Sequence, residues 1–305
     1  MIASAQRWFI PPQALVWGLL LANGFLIALM LALAKAATSQ GMPAITYAFW
    51  QTLIAGAVLL LCAGKRRSLL EPRLSRYFLI SGLTGIAIPN AIGFYLVTKL
   101  GAGFTGIMYA LPPIFTFLLA AGMGLEKRSW IKLTGLSIAV IACAWIVLQR
   151  HSEISSPNAL WFAMGLIIPA MLSIGNVYRS VAWPANVTPM ILASGTLLAS
   201  AATLGLFAGL TETPMFPNGA GIELVGIVVS QGLLTALTYL CAFELQRRSN
   251  PVFYSQLGAV AAMFGLLIGV IWFKESYSLT IWLGALLVIL GLRISNRKKA
   301  QTGET

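Results

Sequence analysis

Residues 117–135 read FLLAAGMGLEKRSWIKLTG, and residues 266–284 read LLIGVIWFKESYSLTIWLG. Each is an apolar run that halts at one carboxylate, crosses a few polar residues, and resumes as apolar up to a glycine. Glu126 and Glu275 lie 149 residues apart, as do Gly135 and Gly284, about half of the 305-residue chain. The same gapless offset sets Ala87 on Ala236, Phe94 on Phe243, Phe115 on Phe264 and Ser129 on Ser278. Apolar coincidences arise readily in an apolar chain. The glutamate match does not, because the chain holds eight Glu and no Asp. Nearer the N-terminus an offset of 144 pairs Lys35 with Arg179 and Thr52 with Thr196. One helix–turn–helix element is therefore used twice.

The chain is 58% hydrophobic and 9% charged, with a mean hydropathy of +0.85. A soluble domain carries about 25% charged residues, so this composition cannot cover a surface facing water. Apolar stretches near the ~20 residues that cross a bilayer recur from end to end. The spacing predicts helices over 14–34, 44–63, 77–97, 104–123, 131–148, 159–179, 188–209, 221–244, 252–272 and 279–295. They are helices because lipid offers backbone groups no partner, and barrel strands would alternate instead. An Ala-x-Ala follows the first stretch, but that stretch is longer than the 7–15 residues typical of a signal-peptide core, so it reads as a retained helix.

The net charge of +12 sits in short clusters between apolar runs, with no long basic face for nucleic acid. With the N-terminus in the cytoplasm, sixteen of the twenty Lys and Arg fall on the inner side. Only Lys35, Lys99, Arg150 and Lys274 fall outside. That asymmetry predicts both termini inside and an even number of crossings. Ten crossings give five per half, and an odd number turns the second copy over. The fold expected is an all-α polytopic membrane protein with ten transmembrane helices in two inverted five-helix repeats, 1–150 and 151–305. Such repeats mark secondary transporters, with the site near midplane between the halves.

Without Asp, and with His151 as the single histidine, Asp-rich metal sites, zinc-protease motifs and Ser-His-Asp triads are excluded. No phosphate-binding P-loop motif occurs, and no cofactor is expected. Cys62, Cys143 and Cys241 lie in apolar runs and read as small hydrophobes.

Polar groups within spans are costly and face interior cavities. Candidate solute-binding residues are Asn23, Gln51, Asn90, Tyr109, Asn176, Gln231, Tyr239 and Gln256; helix–helix hydrogen bonding is the competing role for each. Asn90 follows Pro89, which frees a backbone carbonyl in mid-helix. Glu244 is the carboxylate nearest a span interior and a candidate coupling group; Arg247 and Arg248 at i+3 and i+4 offer it an ion pair instead. Ser129 and Ser278 are placed to cap the helices that follow them.

LPPIFTFLLAAGMGLEKRSWIKLTG (111–135) resembles the Pro-containing fourth helix, the following turn and the fifth-helix Gly of the EamA family, in the drug/metabolite transporter superfamily. YSQLGAVAAMFGLLIGVIWFKESYSLTIWLG (254–284) is similar to its ninth and tenth helices, with the family's frequent Gln at Gln256. Ala261 and Ala262 stand where the first copy has Pro112 and Pro113. The resemblance implies ten helices and export of a small metabolite, an amino acid or related compound, by a secondary mechanism; the location expected is a bacterial inner membrane. It also implies that Gln256 and Tyr109 sit beside the cavity. An uptake permease on the same scaffold is the nearest alternative, a membrane-embedded enzyme the distant one. The expected partners are a small solute and lipid; nothing in the sequence separates a monomer from a homodimer. The topology predicts that tags on the two chain ends will be protected from an external protease together, and cleaved together once the membrane is opened.

Overall fold

The computed structural model describes residues 13–63, 71–93, 95–96, 108–127, 129–150, 159–274, 276 and 278–296. Phe94, Lys99, His151 and Glu275 lie outside the described residues. The described residues form helices and turns, with no strand among them. α1 spans Gln13–Ser39, α2 Ala44–Cys62, α3 begins at Pro72, α4 spans Pro112–Gly122 and α5 Trp130–Arg150. α6 spans Ala159–Val181, α7 Pro189–Leu210, α8 Ile222–Arg248, α9 Leu257–Phe273 and α10 Leu279–Ser295. Six helices among the described residues have the length and hydropathy to cross a bilayer, and Pro112–Gly122, Trp130–Ile146 and Leu279–Ser295 are shorter apolar helices.

Local chemistry sets the boundaries. Pro72 and Pro189 occupy first-turn positions, where the missing N–H costs nothing. Thr188 Oγ1 accepts the Ile191 N–H at the start of α7, and Ser129 Oγ accepts the Lys132 N–H at 3.3 Å to cap α5. Ser278, expected to cap α10, makes no side-chain cap; its hydroxyl turns instead to Thr280 Oγ1 at 2.7 Å. α9 is entered through a single turn, Pro251–Tyr254, capped by Asn250 Oδ1 on the Phe253 N–H at 2.7 Å and broken at Ser255 and Gln256. α3 starts five residues before its expected onset, because Pro72 and the residues after it extend the helix beyond the apolar run. Its ladder slips into a π turn over Leu83–Ala87, with the Ile88 N–H bonded to Leu83 O, just ahead of Pro89. α-Helical residues resume over 88–93. Pro89 cannot donate to the carbonyl four residues back, so a register change there is where strain is relieved.

The packing repeats itself when each helix is exchanged for the one five places later. α5 lies on α10 and α2 on α7; α1 packs on α8 and α9 as α6 packs on α3 and α4. Two of these pairs run antiparallel. On α5 and α10, Gly135 faces Ser295 and Gly291, Ala139 faces Gly291, and Ile146 faces Gly284. Moving 149 residues from Gly135 and from Ile146 gives Gly284 and Ser295, so the contact at one end of the pair is the repeat image of the contact at the other. On α2 and α7, Ser194 Oγ donates to Gly56 O at 2.8 Å while Gly205 faces Phe49. Small residues bring the backbones close enough for such bonds. The outward faces are apolar: Ile141, Leu210, Ile222 and Leu279 are all exposed.

At Gly135 an added Cβ would lie 2.5 Å from Ser295 N and 2.7 Å from Gly291 O, both backbone atoms that cannot step aside. Gly135→Ala is expected to lose about 1–3 kcal/mol. Gly226→Ala, with nothing within 4 Å, is expected to lose nothing. Melting in detergent checks both.

Candidate functional site

Between the helix pairs lies a cavity of about 420 Å³, walled by α1, α2, α3, α6, α8, Tyr109 and the entry to α9. Helices before and after the midpoint of the chain both contribute. The cavity reaches the exterior beside the C-terminal part of α1, where its lining residues Leu31 and Thr38 are exposed. Its other end, at the last turns of α6 and α8, is floored by Arg179, Phe243 and Tyr254.

Asn23 on α1 is fully buried. Its Nδ2–H donates to Thr238 O on α8 at 3.2 Å, which fixes the amide because a flip would set oxygen against oxygen. Its Oδ1 is left without a partner. Gln231 Nε2 on α8 donates to Gln51 Oε1 on α2 at 2.8 Å, and Gln231 Oε1 is also unpartnered, as is the Tyr47 hydroxyl. All four side chains line the cavity. A buried polar atom without a partner costs about 1–3 kcal/mol, so three on residues around one chamber are polarity that packing alone does not explain.

Asn90, Tyr109 and Tyr239 line it too. The Tyr109 hydroxyl donates to Pro89 O at 2.7 Å, beside the irregular part of α3. Gly93 permits this approach, since a Cβ there would stand 2.2 Å from the phenol oxygen.

Three sequence candidates lie elsewhere. Asn176 sits behind the floor, with Oδ1 accepting from Arg179 Nη2 at 2.8 Å. Gln256 joins the entry of α9 to the end of α10, accepting from Asn296 Nδ2 at 2.7 Å and donating to Ser295 Oγ at 3.2 Å. Glu244 is bonded to Arg247 at 2.8 Å and to Arg248 and is not among the residues lining the cavity. Sequence reasoning missed Tyr47, Tyr254 and above all Arg179, which it read as a topology-setting charge at a helix end. Arg179 is only 5% exposed. The signal was Asn176 one turn earlier on the same face.

The floor is cross-bonded. Gln246 on α8 accepts from Arg179 Nε at 3.3 Å and donates to Asn176 O at 2.9 Å and Ser180 Oγ at 2.7 Å. These bonds tie α6 to α8.

Residues 15–148 and again 159–297 match the EamA-like transporter family. Among curated proteins, the chain is similar to WAT1-related protein At3g28130 of Arabidopsis thaliana, 27% identical over 89% of this chain and 86% of that one. WAT1-related protein At3g28100 of the same plant is 23% identical over 84% and 82%. A crystal structure described only as that of a protein matches 94% of this chain and 97% of its own, with a TM-score of 0.77 at 18% identity. That likeness bears on the fold alone.

Gln246→Leu removes three bonds from the floor and is expected to lower stability by about 1–3 kcal/mol, whereas Tyr109→Phe, losing one bond, is expected to lose about 0.5–1.5 kcal/mol. Chemical unfolding in detergent measures both.

Proposed function

The chain belongs to the EamA-like transporter family and so is a membrane transporter and not an enzyme; from that premise we propose that it exports a small organic metabolite by alternating access. The reading takes the chain as ten crossings in two inverted five-helix units, 1–150 and 151–305, with both termini cytoplasmic. The observation that carries it is the cavity itself: a chamber at the seam of two repeat-related bundles, open at one end and floored at the other, whose largely apolar wall carries the polar side chains of Asn23, Gln51, Asn90, Gln231 and Arg179. A secondary transporter built from inverted repeats holds its site there.

Lys35 and Arg179 support the alternation. They are repeat counterparts, 144 residues apart, yet Lys35 is exposed at the open end and Arg179 is buried at the closed one. Equivalent positions in unequal surroundings are what an inverted-repeat protein exchanges when it turns its cavity from one face to the other. With the termini inside, the α1–α2 connection is external, and this arrangement is the state closed to the cytoplasm. No P-loop stands in the sequence, so the driving force is exchange for a proton or for a second solute.

Purified protein in liposomes is expected to move radiolabelled metabolites from a broad panel in a saturable manner. A proton-coupled cycle predicts that an imposed pH gradient raises the uphill component several-fold, and solute exchange predicts counterflow without one. Fluxes equal to those of protein-free liposomes for every solute would remove the reading.

A further inference from the structure

Among the described residues lining the cavity, Arg179 is the one charged side chain, and no opposite charge accompanies it. Arg179 lines the chamber at 5% exposure, and no carboxylate lies within ion-pair distance of it among the described residues. Glu244, the carboxylate of the facing helix α8, is bonded to Arg247 and Arg248. Among the described residues, Glu71, Glu126, Glu212, Glu223 and Glu244 supply no side chain to the cavity wall. A guanidinium stays ionised at any physiological pH, and burying one without a counter-charge is costly.

Neutral groups hold it in place. Its Nε–H goes to Gln246 Oε1 and Nη2 to Asn176 Oδ1. Its carbon centre lies 5.6 Å from the Tyr254 ring and 6.0 Å from the Phe243 ring. These contacts orient the fork and use two of its five N–H donors. Nη1 is directed at Gly85, where a Cβ would stand 2.3 Å from it, so the glycine of the π turn makes room for the cation beside the chamber. The remaining donors suit a planar, bidentate anion. Farther along the chamber, Asn23 Oδ1 and Gln231 Oε1 are unpartnered, and apolar side chains such as Ile27, Met30 and Leu257 complete the wall.

We infer that Arg179 is the charge-recognising residue of the cavity and that the transported solute is an organic carboxylate with an apolar body, bound through its carboxylate to the Arg179 guanidinium. This deepens the transport reading above and rests on it. A cationic amine would meet an uncompensated positive charge and no carboxylate, so the same chamber rejects it.

Three probes of one shape test the assignment: phenylacetate, phenylacetamide and phenethylamine, which are negative, neutral and positive. Binding to the purified full-length protein in detergent is read as the concentration dependence of the rise in melting temperature. Phenylacetate is expected to give the rise and the other two not. Arg179→Gln is expected to weaken phenylacetate by about thirtyfold or more, Arg179→Lys to keep the order of preference, and Arg73→Gln, at an exposed cation outside the cavity, to change nothing. Gly85→Ala, which displaces the guanidinium without removing it, is expected to weaken phenylacetate as well and stands in if Arg179→Gln does not fold. A preference for the amine or amide, no rise with any probe, or an undiminished response in both cavity variants overturns the assignment. Labelled phenylacetate counterflow in liposomes separates the two readings. Binding without flux removes transport and leaves the anion site, whereas flux indifferent to Arg179 removes the anion site and leaves transport.

Discussion

A bilayer core offers peptide groups no hydrogen bond, and that constraint shapes this molecule from its ladders to its cavity. It forces the apolar runs into helices and leaves the chain few places for irregular backbone. Where proline removes a donor, the structure answers locally. α3 slips into a π turn ahead of Pro89; side-chain hydroxyls also bond the prolines' own carbonyls, Tyr109 at Pro89 O and Ser173 at Pro112 O across α4 and α6. Each irregular point faces other protein, and two of them border the chamber.

Close approach of backbones follows from the same constraint. Lipid tails are as apolar as leucine, so helices associate through tight packing and short polar contacts. The Gly135–Gly291–Gly284 seam of α5 and α10 and the Gly56–Ser194 contact of α2 and α7 supply both. These antiparallel pairs join the halves, and α2 also turns Tyr47 and Gln51 to the cavity. The space among α1, α2, α3, α6 and α8, whose polar side chains line it, remains open.

Within that space polarity is distributed unevenly. Amides and hydroxyls of Asn23, Gln51, Gln231 and Tyr47 line the part reached from α1, and the Arg179 network closes the far end. A structure that strands acceptor atoms in a buried chamber while anchoring a cation with neutral groups is specific before any solute arrives. The polar groups that could satisfy one another are held apart by the helices that carry them.

Periodicity and repetition are properties of the chain itself, so the helical class, the duplicated element and most helix positions were legible in it. The 149-residue match of Glu126 and Gly135 located a relation that recurs in the contacts of α5 with α10. Six of the eight proposed binding residues, Asn23, Gln51, Asn90, Tyr109, Gln231 and Tyr239, stand around one cavity, because polarity inside an apolar run already implies a protein-facing side. Which interior surface a side chain meets is another matter. Gln256 and Asn176 are as polar as Gln231, yet helix rotation and crossing turn one toward α10 and the other behind Arg179. Arg179 carries the same charge as the topology-setting residues at other helix ends. Only the packing of α6 against α3 and α8 makes it a buried wall residue, because burial is set by neighbours distant in sequence and not by the residue's own place in a span.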